Sequence, residues 1–537
     1  MATRQVTFTV KTLCVLGITL FALSANAATS KSYIVETHGN ASAGEAVRQV
    51  GGRVTRDLPI INGVAAMLTA AQAANLAKNT AVSLFADGSL KTQGGPDAYE
   101  IPLMGADQLQ AQGINGTGVT VAVLDTGVWN NPHLVKNPDG ANRLLAFYDA
   151  ISGKTGKPAD AYGHGSHVSS IILSSNTSDG GNARSIAPWA NLVSVRGFDQ
   201  AGVGTYVHVI AGLNWILANQ ATYNIRVLNL SFGAKPQSFY WNDPIDQAVM
   251  KLWQAGIVVV TSAGNWGPQA QTIGVPGNTP YVITVGAMTD NFTPNNPNDD
   301  HLASFSSAGP TYEGFVKPDL VAPGGHIIGL MDGNGSWIAK NYPQFATTDK
   351  QLFTMSGTSQ AAAAVSGTVA LMLQANPYLT PDQVKCRLMS TARPAVDPTS
   401  KLGYTVFQQG AGVVNAYAAV YSQASNCANQ GLNIAYDIAG SAHYGGAAHQ
   451  DPTTRNFYVV DASGTPLSGQ GYLWNNSFTY SQGYLWNNGY LWNNGYLWNN
   501  GYLWHNGYLW NNGYLWNQST IAPASTPTQP ESWNRQQ

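Results

Sequence analysis

Apolar residues along the chain follow two rhythms. Short, continuously apolar runs ("VTVAVLDTG", "NLVSVRGF", "IRVLNLSFG", "GIVVVTSAGN", "YVITVGA") alternate, from about residue 100 to 421, with longer segments of helical spacing. "VHVIAGLNWILANQ", "DPIDQAVMKLWQAG" and "SQAAAAVSGTVALMLQANP" are the clearest of the predicted helices. Strands that are apolar on both faces and separated by helices predict an α/β fold, a parallel sheet covered by helices on both sides. In such sheets function collects beyond the carboxyl ends of the strands. Asp125, Asn229, Ser231 and Asn265 all close or follow an apolar run.

The flanks have other patterns. From Ser32 to about Gln93, "KSYIVET" reads as a strand and "SAGEAVRQVGG" as a helix. "RVTRDLPIINGVAAMLT" reads as a strand pair, "AAQAANLAKN" as a second helix and "AVSLFADGSLK" as a last strand. This predicts a small α+β unit over 28–96, closed by the Gly- and Pro-broken linker "TQGGPDAYEIP". Ahead of it, Arg4 and Lys11 precede "LCVLGITLFAL" and then "SANAA", the order of a secretory signal peptide over 1–27 with cleavage after Ala27. Its apolar run falls short of the roughly 20 residues that span a bilayer, and no later stretch is long enough. Beyond a main domain at 97–425, residues 426–470 read as a linker or a small β segment. The hexad "GYLWNN" then recurs over 471–518 without one Asp, Glu, Lys or Arg, and 519–537 reads as a disordered end. The repeats predict either a β-type array, with Tyr and Trp on one side and Leu on the other, or a disordered aromatic tail.

Composition narrows the class. A chain of 537 residues exceeds one ordinary core. Charged residues are 10% against about 25% in typical soluble domains, and the net charge is −2. That balance gives no electrostatic reason to expect nucleic acid or an anionic membrane as partner. With Cys14 lost in the signal, the remaining Cys386 and Cys427 either pair in an oxidising compartment or stay free; nothing in their spacing decides.

Chemistry enters at "FTMSGTSQAAAAVSG". Ser359 stands where a loop turns into a helix, a place that suits a capping serine as well as a nucleophile. Two other motifs tip the balance: Asp125 ends the apolar run of "VAVLDTGV", and His164 sits between glycines in "AYGHGSHVSS". Acyl transfer needs a hydroxyl, a base to take its proton and a carboxylate to orient that base, and the chain order Asp, His, Ser is one known solution.

With "DTG", "GHGSH", "NLSFG", "SAGN" and "SGTS" in this order, together with "SIAPWANLVSVRGFD", "ASFSSAGP" and "KPDLVAPGG", the chain resembles the subtilisin-like serine proteases over about residues 30–425. The resemblance implies that Asp125 orients the base, His164 is the general base, Ser359 the nucleophile and Asn265 a donor to the oxyanion. It makes His167 a packing residue. Ser231, Phe232 and Gly233, with Ser262, Ala263 and Gly264, would wall the primary specificity pocket. The glycine walls would leave room there for a sizeable apolar or aromatic side chain. Gly202 and Gly204 would lie on the edge strand that pairs with an extended polypeptide substrate. The N-terminal unit would be a propeptide that templates folding and inhibits its own protease until cut within about 91–99. No cofactor is required for this chemistry. Structural calcium is common in the family, and "SSNTSDGGNARS", with Asn176 and Asp179, is the candidate loop, although its length departs from the familiar one. After the serine the family usually reads Met-Ala-Ser/Thr-Pro-His, whereas this chain has Gln360 and four alanines.

The leading expectation is therefore a secreted, self-processing serine endopeptidase. An alternative is a catalytically weak surface-binding or adhesive protein on the same fold, using the aromatic repeats for glycan or cell-surface contact. An esterase with the same triad is a weaker third, since small esters need neither a peptide-binding edge nor a propeptide.

Overall fold

The computed structural model describes residues 30–38, 42–92, 100–177, 184–290, 300–347, 350–395, 402–460 and 466–467. The signal segment, most of the expected linker and the hexad repeats lie outside these residues.

Alternation builds the N-terminal unit. It has strands β1 (Ser30–Thr37), β2 (Arg53–Leu58), β3 (Gly63–Thr69) and β4 (Val82–Ala86), and helices Ala43–Gln49 and Ala70–Leu76. The strands form one sheet in the order β2-β3-β1-β4; β1 is antiparallel to both β3 and β4. Neighbours on β1 point to opposite faces. Val35 joins Val47, Leu68 and Leu76 in the unit's own core, while Ile34 joins Leu58, Ile60 and Ala65 in the core shared with the rest of the chain. The sheet is thus held between its own two helices and the body. Capping secures the second helix: Thr69 and Gln72 form a reciprocal box across its first turn.

A last strand of this unit, β5 (Ser89–Thr92), leaves the small sheet and pairs with the body instead. The body's strands are β6 (Thr120–Asp125), β7 (Leu144–Asp149), β8 (Lys154–Thr155), β9 (Asn191–Arg196), β10 (Val203–Thr205), β11 (Ile225–Leu230), β12 (Phe232–Gly233), β13 (Val258–Ser262), β14 (Ile283–Thr289), β15 (His301–Leu302) and β16 (Leu320–Pro323). Nine of these make the main sheet in the order β15-β14-β13-β11-β6-β9-β7-β8, with β16 also on β14. Pairings are parallel from β7 through β14 to β16, and antiparallel at the short edge strands β8 and β15. Every residue of β6, β13 and β14 is buried, as strands covered on both faces must be.

Helices Tyr206–Ala218 and Pro244–Gln254 pack together and carry the N-terminal unit. Ile60 N–H donates to Asn214 Oδ1 at 3.1 Å, and Val207 N–H, in the first turn of its helix, donates to Asp87 Oδ1 at 3.1 Å. On the other side, the helix Thr358–Ala375 packs on β11, β13 and β14 and on the helix His164–Leu173. Ala361, Ala362, Ala363 and Ala364 are at most 1% exposed, so the departure from the family's usual residues fills a buried helix start with small side chains. A hairpin of β17 (Ile327–Leu330) and β18 (Leu352–Met355) leads straight into that helix.

The described residues after 425 are also packed. Cys427 forms a disulfide with Cys386 of helix Pro381–Thr391. In helix Ile434–Ala439, Asp437 accepts from the hydroxyls of Tyr240 at 2.9 Å and Tyr281 at 2.6 Å. Strands Ala448–Gln450, Phe457–Val460 and Pro466–Leu467 make a small antiparallel sheet. No helix among the described residues is long and apolar enough to cross a membrane.

Candidate active site

Asp125 is the last residue of β6 and His164 the first of its helix, 39 positions later. His164 Nδ1 lies 2.8 Å from Asp125 Oδ1 and 3.0 Å from Oδ2, both side chains being 1% exposed. A bond of this kind fixes the imidazole's orientation and tautomer, with Nδ1 protonated and Nε2 left basic. Small residues permit the approach. A Cβ on Gly165 would stand 2.3 Å from the Gly127 carbonyl and 3.1 Å from Asp125 Cβ, so only glycine lets the helix start sit against the strand end. Thr126 Oγ1 accepts from Gly165 N–H at 2.8 Å. Asp160 accepts from Gly163 N–H at 2.7 Å and from Ser166 N–H and Oγ at 2.8 and 2.7 Å. Asp160 went unnoticed in the sequence, because it lies four residues ahead of the helix and outside the usual capping position.

Ser359 is the second residue of its helix. Its hydroxyl donates to the Ser231 carbonyl at 3.0 Å, and Ser231 Oγ donates back to the Ser359 carbonyl at 2.9 Å. Asn229 Nδ2 supports Ser231 Oγ at 2.9 Å, and Ser366 Oγ donates to Asn229 Oδ1 at 2.9 Å. This chain of side chains pins the serine helix to the end of β11. Asn265 Oδ1 accepts from Thr358 N–H at 3.0 Å and Thr358 Oγ1 at 2.8 Å, which seats its amide beside Ser359.

The two helix starts meet at His167 and Gln360. His167 is fully buried, its Nε2 2.9 Å from the Phe353 carbonyl and its Nδ1 3.5 Å from Gln360 Nε2. Burial pushes its pKa down to about 3, against the upward pull of the Phe353 carbonyl, so it is neutral at physiological pH. His167 thus spaces the two helices, and its environment suits no proton transfer.

β10 and β12 stand on either side of β5, both antiparallel to it. Lys91 is opposite Val203, Leu90 opposite Gly204 and Thr92 opposite Phe232. An extended segment of the chain therefore lies on the edge that includes Gly204. Gly202, just outside β10, packs against the Tyr162 ring, to which a Cβ would come within 2.5 Å. Ser262 Oγ donates to the Phe232 carbonyl at 3.1 Å, drawing the two candidate pocket segments together. The space beside Gly233 and Gly264 is not open, because the indole of Trp266 lies against both, in place of the room expected from the glycines alone.

For calcium, no group of three His, Cys, Asp or Glu side chains able to hold a metal occurs among the described residues, and Asp179 lies outside them.

The Subtilase family profile matches residues 116–417. The chain is 41% identical to Serine protease AprX of Bacillus subtilis over 317 residues, 58% of this chain and 68% of that protein. It is 31% identical to Subtilisin E of the same organism over 400 residues, covering 73% of this chain and 91% of that protein. Fervidolysin from Fervidobacterium pennivorans, described as a keratinolytic enzyme related to subtilisin, superposes with a TM-score of 0.57 at 24% identity, over 73% of this chain and 61% of its own; this last likeness speaks for the fold alone. Together with an α/β body whose strand ends gather Asp125, Ser231 and Asn265, these matches make the chain a member of the subtilase family of serine proteases.

Proposed function

We propose that this protease is a secreted endopeptidase made as a self-processing precursor, with Asp125, His164 and Ser359 as its triad. The observation that carries the reading is the buried Asp125–His164 pair at 2.8 and 3.0 Å, on a helix packed against the one that begins with Thr358 and Ser359. In the reaction, Ser359 Oγ turns about χ1 from the Ser231 carbonyl towards His164 and attacks the substrate carbonyl carbon as His164 Nε2 takes its proton. Asp125 stabilises the imidazolium that forms. The oxyanion lies at the start of the serine helix, where the Ser359 N–H, the helix dipole and the Asn265 amide nitrogen can stabilise it. His164 then protonates the leaving amine, the C–N bond breaks, and water releases the acyl group by the same steps in reverse.

The N-terminal unit acts as propeptide and inhibitor in this reading. The pairing of β5 between β10 and β12 supports it, since that is how an extended substrate would add to the edge. The Cys386–Cys427 bond accords with an oxidising compartment. The aromatic hexads would serve contact with a glycan or cell surface.

The test is to express the precursor beside Ser359→Ala and to sequence new N-termini. Cleavage within about 91–99 in the wild type alone is expected. An intact wild-type precursor, or equal cleavage in both, would overturn the reading.

A further inference from the structure

Three separate segments converge beside Asn265. They are Phe232–Ala234, Ser262–Gly264 and Gly274–Val275. Gly274 N–H donates to the Ala263 carbonyl at 3.2 Å. Ala234 and Val275 exchange both backbone bonds, at 3.1 and 2.8 Å. Each segment contributes one glycine facing the same indole. A Cβ on Gly233 would stand 3.2 Å from the Trp266 ring, one on Gly264 2.8 Å and one on Gly274 2.6 Å. All three contacts are to the Cε3–Cζ3–Cη2 edge of the six-membered ring. A ring edge in touch with all three segments lies in the space they enclose, not behind any one of them. The Trp266 N–H of the backbone, held by Ser307 Oγ at 3.1 Å, fixes where the side chain starts.

We propose that Trp266 fills the depth of the primary specificity pocket, so that the enzyme cleaves after small side chains and rejects aromatic ones. This rests on the protease reading above. Location argues for it: Gly233 is paired with Lys91 of β5, on the edge an extended peptide would use, and Gly264 adjoins the candidate oxyanion donor. Size argues for it too. A phenylalanine ring would need the space the indole occupies, and forcing extra atoms into a packed site strains both partners. Alanine, serine or glycine needs only the mouth.

The experiment uses the mature enzyme and peptides that differ only in the residue on the N-terminal side of the scissile bond: Ala, Leu or Phe. Wild type is expected to give a kcat/KM at least about tenfold higher for Ala than for Phe. In Trp266→Ala the Ala/Phe ratio should fall by about tenfold or more, and Trp266→Leu should lie between. A surface control, Tyr378→Ala, changes a side chain that is 90% exposed and should keep the wild-type ratio. A wild type that prefers Phe, with the preference lost in Trp266→Ala, would make the indole a stacking wall and overturn the proposal. A ratio equal in wild type and both variants would place the ring outside the pocket and overturn it as well. Labelling of Ser359 by a fluorophosphonate separates the two levels. Labelled enzyme with an unchanged ratio sinks only the pocket assignment, whereas wild type that neither labels nor cleaves any peptide sinks the protease reading with it.

Discussion

The amide of Asn265 faces two ways. Its oxygen accepts from Thr358 N–H and Oγ1 at 3.0 and 2.8 Å, and in the proposed mechanism its nitrogen is the donor to the oxyanion. Asn265→Ala should therefore lower kcat by about 100-fold or more while the chain stays folded, because one donor to a developing oxyanion is worth roughly 3–4 kcal/mol. Asn265→Asp keeps an acceptor for Thr358 but has no donor, and should lose at least as much. Steady-state kinetics with near-wild-type thermal unfolding would bear this out, and wild-type turnover in Asn265→Ala would end the assignment. Asp125, His164 and Ser359 could be named as candidates from the sequence because each sits in a short motif whose neighbours serve the same local geometry. Trp266 was not. Its role depends on glycines at 233, 264 and 274, and no local pattern reveals that one indole meets all three. Gly233 and Gly264 alone suggested open space.

Among the elements, β1 brings a buried carboxyl to the contact between the N-terminal unit and the body. Its Glu36 is 2% exposed and accepts from Gln247 Nε2 at 3.3 Å, while its other oxygen, Oε1, has no hydrogen-bond partner. Burial pushes the carboxyl up from 4.5 to about 8; Lys251 and Gln247 oppose the shift and Asp243 adds to it. If the unit lifts off, the carboxyl returns towards its ordinary value, so the docked state holds a proton that the free state gives up. Docking is then strongest below about pH 4.5 and weakens as pH rises towards about 8. Hydrogen exchange of β2 and β3 in full-length Ser359→Ala should quicken across that window beyond the intrinsic pH effect. Glu36→Gln should remove the excess, and its persistence would show that another group drives the response. The strand-like run "KSYIVET" that foretold β1 said nothing of this, because Gln247 and Lys251 lie on a helix more than two hundred positions away.

At the scale of the whole molecule, the parallel sheet and its helices were readable from the alternation of apolar runs, because its central strands are covered on both faces. The segment after 425 was harder to read. It is held by a disulfide and by Asp437, whose tyrosine partners lie 156 and 197 positions away. The disulfide closes a loop of 41 positions between two buried cysteines. Removing such a crosslink typically costs about 2–4 kcal/mol. In Cys427→Ser, limited proteolysis should cut within 426–460 well before the body is attacked; equal resistance in wild type and variant would show that Asp437 and the small sheet hold the segment unaided. The same bond has a mechanical consequence. Whatever pulls on the chain beyond Leu467 pulls first on a short sheet and then on a covalent rivet into helix Pro381–Thr391, a neighbour of β13. Traction on the hexads would thus be passed to the strand that ends at Ser262, beside the candidate pocket.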